Sequence, residues 1–417
     1  MTSEKFNSWK YASCLLAIIV DSLGFGLVYP LFADLLSPGS SSILSSSTSI
    51  EMRQFLLSIG FMMYPLGLLF GASVLGDLSD IYGRKKVLLL CMSGLCISFL
   101  MMAAGAEVKS LFLLFIGRGL SGLTSGAQPI AQASIADLSA AEQKTRHLAI
   151  MTVTLSVGIV IGPLIGGFFS DPKILPFFGY PTPFFFSGFL ALLAFCWILF
   201  GFQETFVKNL RKQFHLARPI VLFIEAFKHP MVRYLSILFI LKELGMSIYY
   251  PFIAVYLKSV PVSNWVVGLF YAVLGIFCAF SLLFTSRVLV KYFTTTTISM
   301  ISFFIAGTGM LITALTDNLI LIWCMSLLSA FAMSCYNCLL AMYSNVVPKD
   351  SQGWVMGIAS SAVAFSWIIT SFIANLISVI GFGAIFGLAA FFLFLGGILH
   401  LFLKEKDHKI HFVKDRG

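Results

Sequence analysis

The chain has 417 residues, of which 59% are hydrophobic and only 11% charged, and its mean hydropathy is +0.95. An ordinary globular protein is about 45–50% apolar and about a quarter charged, so a soluble enzyme is excluded and a polytopic membrane protein remains. The net charge of +9 invites a nucleic-acid reading, which fails once the basic residues are placed along the chain.

A bilayer core about 30 Å thick needs about 20 residues of helix. The N-terminus, 1–10, is polar and basic and enters an apolar segment that carries Asp21 and lacks an A-x-A cleavage pattern, so it reads as a first transmembrane helix and not a signal peptide. Charged and Pro/Gly-rich breaks then predict twelve helices, at 11–36, 54–75, 87–106, 110–136, 148–170, 183–202, 231–258, 263–286, 297–316, 319–346, 354–378 and 382–403. With both termini in the cytoplasm, 21 of the 27 Lys and Arg fall on inner segments and four on outer ones, while Arg118 and Lys242 lie within helices. That asymmetry obeys the positive-inside rule and accounts for the basic excess without a nucleic-acid partner. The eight cysteines all lie in apolar runs, where Cys is a small hydrophobe.

The domain organisation expected is a six-helix bundle over 1–202, a cytoplasmic loop over 203–230, a second bundle over 231–403 and a basic tail over 404–417. At an offset of 221, Leu23-Gly24 faces Leu244-Gly245 and Tyr29-Pro30 faces Tyr250-Pro251, an internal repeat of the kind that duplicated transporter bundles show.

The loop after the second helix reads Gly76-Asp77-Leu78-Ser79-Asp80-Ile81-Tyr82-Gly83-Arg84-Lys85-Lys86. It resembles the signature of the major facilitator superfamily, whose fold is all-α, with twelve transmembrane helices in two pseudo-symmetric six-helix bundles. The resemblance makes Gly76, Asp80, Gly83 and Arg84 a conformational latch, although Ile81 stands where the family carries Arg. Three further runs are similar to the drug/proton antiporter branch, which includes tetracycline exporters. They are Asp21 to Pro30 in the first helix, Arg118 to Gly122 in the fourth, and Gly158-x-x-x-Gly162-Pro163-x-x-Gly166-Gly167 in the fifth. A small-residue face of this last kind lets a neighbouring helix approach closely, and the proline bends it. The expectation is that this face seals against a helix of the second half. Glu204-Thr205 and 348–357 are lesser exporter-like features.

An ionisable side chain at the bilayer centre costs about 2.5–3.5 kcal/mol on insertion scales and asks for a function. Asp21 and Arg118 both reach the midplane, where they are expected to pair, as a proton-coupling couple or as a permanent structural bridge. Lys242 and Glu243 point about 100° apart on their helix, with Glu243 the better proton site and local pairing of the two the alternative. None of the six histidines lies deep in a span by hydropathy, and Asp34 sits at the outer end of the first helix, where solvent is expected to reach it. Phe25, Tyr29, Tyr64, Tyr249, Tyr250, Tyr271, Tyr336, Phe365 and Trp367, with Gln128 and Asn337, are candidate substrate contacts, because mixed aromatic and polar lining suits a bulky amphipathic solute. Each of these aromatics could equally pack or face lipid.

No G-x-x-x-x-G-K-[ST] is present, so an ion gradient and not a nucleotide would drive transport. The reading is a monomeric proton-coupled exporter of a small organic or drug-like molecule, or of an endogenous product such as a siderophore, in a bacterial inner membrane. It needs no cofactor or metal, and its partners are substrate, protons and lipid. The alternatives are a symporter importing a metabolite and, from another class, a non-transporting receptor. No catalytic constellation suggests an enzyme.

Overall fold

The computed structural model describes residues 8–36, 43–138, 141–204, 221, 224, 228–346 and 352–414. Most of the expected loop 203–230, Thr205 and 348–351 therefore lie outside the described residues. Those that are described form helices and connecting turns, with no strand among them.

In chain order the helices are α1 Ser8–Leu36, α2 Ile50–Tyr82, α3 Arg84–Glu107, α4 Leu111–Leu123, α5 Ala127–Leu138, α6 Ala141–Phe169 and α7 Pro181–Gly201. They continue as α8 Pro230–Ser259, α9 Asn264–Arg287, α10 Thr295–Leu315, α11 Leu319–Ser329, α12 Phe331–Val346, α13 Gln352–Ser371 and α14 Ile377–Lys414. Their starts follow local chemistry. Ser49, Ser110, Thr294 and Asn318 cap α2, α4, α10 and α11 by accepting a first-turn amide proton, and Pro181 opens α7 at a position where a missing N–H costs nothing.

Nine stretches of the described chain are long and apolar enough to cross a membrane, which makes this a multi-pass membrane protein. Several of the expected spans differ from simple long helices. The fourth, expected to be continuous over 110–136, is broken at Thr124–Gly126 into α4 and α5. The fifth contributes a shorter apolar stretch, Val153–Phe169, and the last two run together in Gly357–Phe402. Gly381 bends that stretch with a non-helical φ of 74°. Large apolar side chains such as Phe112, Phe189, Phe200, Ile320 and Val379 are exposed, as expected where the solvent is hydrocarbon. By contrast α1 and α8 are mostly interior, so Asp21, Lys242 and Glu243, which they carry, are enclosed by protein.

The described chain divides into two compact units, one of 1–218 with 254–272 and the other of 219–253 with 273–417. In the first, α1 lies against α5, α6 and α7, while α3 lies against α4 and α7. In the second, α10 lies against α11, α12 and α14.

Candidate functional site

In the first unit the site is built around the interruption between α4 and α5. Arg118 sits one turn before it on α4 and is 1% exposed. Its Nη1 donates to the Gly24 carbonyl at 3.0 Å, and its guanidinium lies over the Tyr64 ring at 4.4 Å and the Tyr29 ring at 5.4 Å, a cation–π arrangement in a desolvated setting. Asp21, 5% exposed, does not take Arg118 as its hydrogen-bond partner. It accepts a 2.6 Å hydrogen bond from the Ser125 hydroxyl and lies within reach of the Gln128 amide in the first turn of α5, where a helix N-terminus favours negative charge. The expected direct pairing is thus replaced by two neighbouring charges with different partners. Ser125, the hydrogen-bond partner of Asp21, is a residue that sequence reasoning did not single out. It lies in no motif, and its only sequence signal is the Thr-Ser-Gly run that breaks the helix.

The aromatic candidates divide. Phe25, Tyr29 and Tyr64 form one cluster with Phe61, with ring centroids 5.1–5.6 Å apart, and Gln128 is half-buried at the start of α5. Tyr271 is buried next to Phe270 in the same unit.

In the second unit Lys242 and Glu243 pair with each other, Nζ to Oε1 at 2.7 Å, and both are almost wholly buried. The alternative of local pairing is the arrangement observed. Glu243 Oε2 also accepts from Trp367 Nε1 at 3.2 Å, Lys242 Nζ lies 4.7 Å from the centre of the Tyr336 ring, and Tyr250 packs on Trp367 at 6.2 Å. Tyr249 points elsewhere, onto Phe386 of α14. Phe365 is half-buried and Asn337 exposed. The second unit also interrupts a helix, between α11 and α12 at Ala330, whose carbonyl accepts from the Ser281 hydroxyl at 3.1 Å. His400, placed near the end of the last span by hydropathy, is fully buried and hydrogen-bonded to Ser299 at 2.8 Å.

The latch residues are held at a helix junction. Gly83, at a φ of 100°, ends α2 and starts α3, a conformation that favours glycine. Arg84 bridges back to Asp80 at 2.7 Å, while the Glu204 carboxylate accepts from the backbone amides of Arg84 and Lys85 at 2.9 and 3.2 Å. Gly76 meets nothing: a Cβ there would have no atom within 4 Å.

The fifth-helix glycines face two ways, and this corrects the expected seal. A Cβ at Gly158 or Gly162 would collide with Ser22 Oγ or the Leu23 carbonyl of α1, and Gly166 also lies on α1 at Leu27. Of this run, Gly167 and the Pro163 carbonyl meet α9, at Asn264 and Gly268. Asp34 is reached by solvent but does not stand alone. It is only partly exposed and takes Lys258 Nζ at 2.9 Å and the Tyr180 hydroxyl, while Lys258 also donates to Asn264.

The profile of the Major Facilitator Superfamily matches residues 14–371. The chain belongs to that superfamily. Among individual proteins, it is similar to the class B tetracycline resistance protein of Escherichia coli, 32% identical over 197 residues that make up 47% of this chain and 44% of the relative. It thus spans less than half the length of that curated relative. In fold it is similar to the human organic anion transporter MFSD10 (TETRAN), with a TM-score of 0.68 and 18% identity over 94% of this chain and 99% of the other. A D-xylose–proton symporter gives the same TM-score and identity over 92% and 97%. At these identities the two structures establish the major facilitator fold alone.

Proposed function

We propose that this major facilitator protein is a proton-coupled secondary transporter that exports a small, drug-like organic molecule. The observation that carries the reading is Asp21, a carboxylate enclosed by protein at the break between α4 and α5, beside Arg118 and the Phe25, Tyr29 and Tyr64 rings. A carboxylate held by one hydroxyl and a helix N-terminus, with no lysine or arginine among the described residues bound directly to it, can exchange its proton as its surroundings open and close. Glu243, locked to Lys242 and Trp367, is the second acidic group on this reading. The tetracycline-resistance relatives and the Gly158 to Gly167 run support export. Gly76, Asp80, Gly83 and Arg84 then serve as the conformational latch, with Glu204 bound to the start of α3, both termini face the cytoplasm, and the protein acts as a monomer in a bacterial inner membrane.

The test is reconstitution into vesicles with an imposed pH gradient, with tetracycline and a panel of fluorescent drug-like molecules as probes. Gradient-driven movement of a probe against the proton flow, lost in Asp21→Asn, is the expected result. Movement together with the protons would establish symport instead, and uphill transport undiminished in Asp21→Asn would remove Asp21 from the mechanism.

A further inference from the structure

Ser125 behaves differently from the hydroxyl residues around it. Ser121 Oγ donates to the Arg118 carbonyl and Thr124 Oγ1 to the Leu120 carbonyl, the usual return of a helical Ser or Thr to its own backbone. Ser125 lies two residues beyond the end of α4, where the ladder is interrupted, and its hydroxyl reaches across to two other helices. It meets Asp21 of α1 at 2.6 Å and the Tyr64 hydroxyl of α2 at 2.8 Å, both contacts buried. Close packing holds the interruption in place. A Cβ at Gly126 would lie 2.6 Å from Leu75 Cδ1, and the amide of Gly126 is turned back onto the Thr124 carbonyl at 2.9 Å.

A serine hydroxyl has one proton to give. While Asp21 is ionised, that proton points at its carboxylate, so the Tyr64 hydroxyl must be the donor to Ser125. We propose that Ser125 is a positioning residue that transmits the protonation state of Asp21 to Tyr64 and to the Arg118 guanidinium lying over its ring. When a proton from water binds Asp21, the new carboxylic O–H becomes the donor to Ser125 Oγ. Ser125 then turns its own proton to the Tyr64 oxygen, and the Tyr64 hydroxyl proton swings away. The only covalent change is the O–H bond formed on Asp21, because both hydroxyls keep their protons and merely reverse direction. The phenol dipole beneath Arg118 is thereby reoriented, which links proton binding to the aromatic cluster of Phe25, Tyr29 and Tyr64. The inference rests on Asp21 as a proton site, as proposed above.

The ionisable groups placed to feel Asp21 are Tyr64 on α2, Cys91 on α3, and Arg118 on α4 together with Tyr29, which Arg118 overlies. The experiment therefore needs a readout specific to Tyr64. Infrared difference spectra of the full chain in lipid nanodiscs, taken between acidic and alkaline pH without substrate, would show the carboxyl band of Asp21, assigned by its loss in Asp21→Asn. They would also show the phenol C–O mode of Tyr64, assigned by its loss in Tyr64→Phe. In the wild type the two signals should titrate together. In Ser125→Ala the Asp21 band should remain and the Tyr64 shift should vanish, and Ser125→Thr, which keeps the hydroxyl, should restore it. If Ser125→Ala does not fold, Ser125→Cys, close in size but a weak donor, carries the same expectation. A Tyr64 signal that still follows Asp21 without the hydroxyl would overturn the relay. A wild type with no titrating Asp21 band would instead overturn Asp21 as the proton site, and the relay with it.

Discussion

Lys242→Met is the sharpest test of how the second unit holds its buried charge. In the wild type the ammonium sits 2.7 Å from Glu243 Oε1 and 4.7 Å from the centre of the Tyr336 ring, with the two charged residues 2% and 3% exposed. Methionine preserves the length of the side chain and its packing on Tyr336 but leaves Glu243 with Trp367 as its remaining hydrogen-bond donor. Removing one member of a buried pair costs about 3–5 kcal/mol, whereas replacing both by neutral groups of similar volume is often nearly neutral. The expectation is therefore a strongly destabilised Lys242→Met, and a Lys242→Met/Glu243→Gln double variant that recovers most of the loss through non-additivity of the two changes. Reversible unfolding in mixed detergent–SDS micelles, followed by tryptophan fluorescence, measures all members of the cycle. Additive losses, or a Lys242→Met variant as stable as the wild type, would show that the two charges are not each other's main support.

Glu204→Ala removes two charge-assisted bonds to the start of α3, each of a class worth about 1.5–3 kcal/mol. Hydrogen exchange at Arg84 and Lys85 should accelerate, with Glu204→Gln intermediate, and unchanged exchange would show that the carboxylate is not the cap. Gly162→Ala should destabilise by at least the 1–3 kcal/mol typical of overpacking, since its Cβ would lie 2.4 Å from the Leu23 carbonyl oxygen. Gly76→Ala, with open space around its Cβ, should be neutral or stabilising by about 0.5–1 kcal/mol through helix propensity; comparing their unfolding midpoints decides both. Asp34→Asn breaks the contact to Lys258 and should raise labelling of Lys258 by a water-soluble amine reagent several-fold, whereas equal labelling would mean that Asn264 alone shields it.

The sequence by itself determined the membrane class, the family signature and that Asp21, Arg118, Lys242 and Glu243 lie within spans. Those properties are set by local composition: an apolar run long enough to span, a Gly at a turn that needs positive φ, a Lys or Arg excess between spans. It could not determine what each buried charge touches. Asp21 and Arg118 are at matching depths by residue count, yet one is taken by Ser125 and the other by Gly24 and two rings, because an interruption of the helix at Thr124–Gly126 turns a residue without a motif toward α1. Lys242 and Glu243 point apart on an ideal helix, but flexible side chains close that angle once the surroundings exclude water. The fifth-helix glycines read as one sealing face in sequence and divide between α1 and α9 in three dimensions. Spacing along a helix gives the angle between side chains, while the neighbour each one meets is fixed by how that helix is rotated, bent and packed, and only the tertiary structure carries that information.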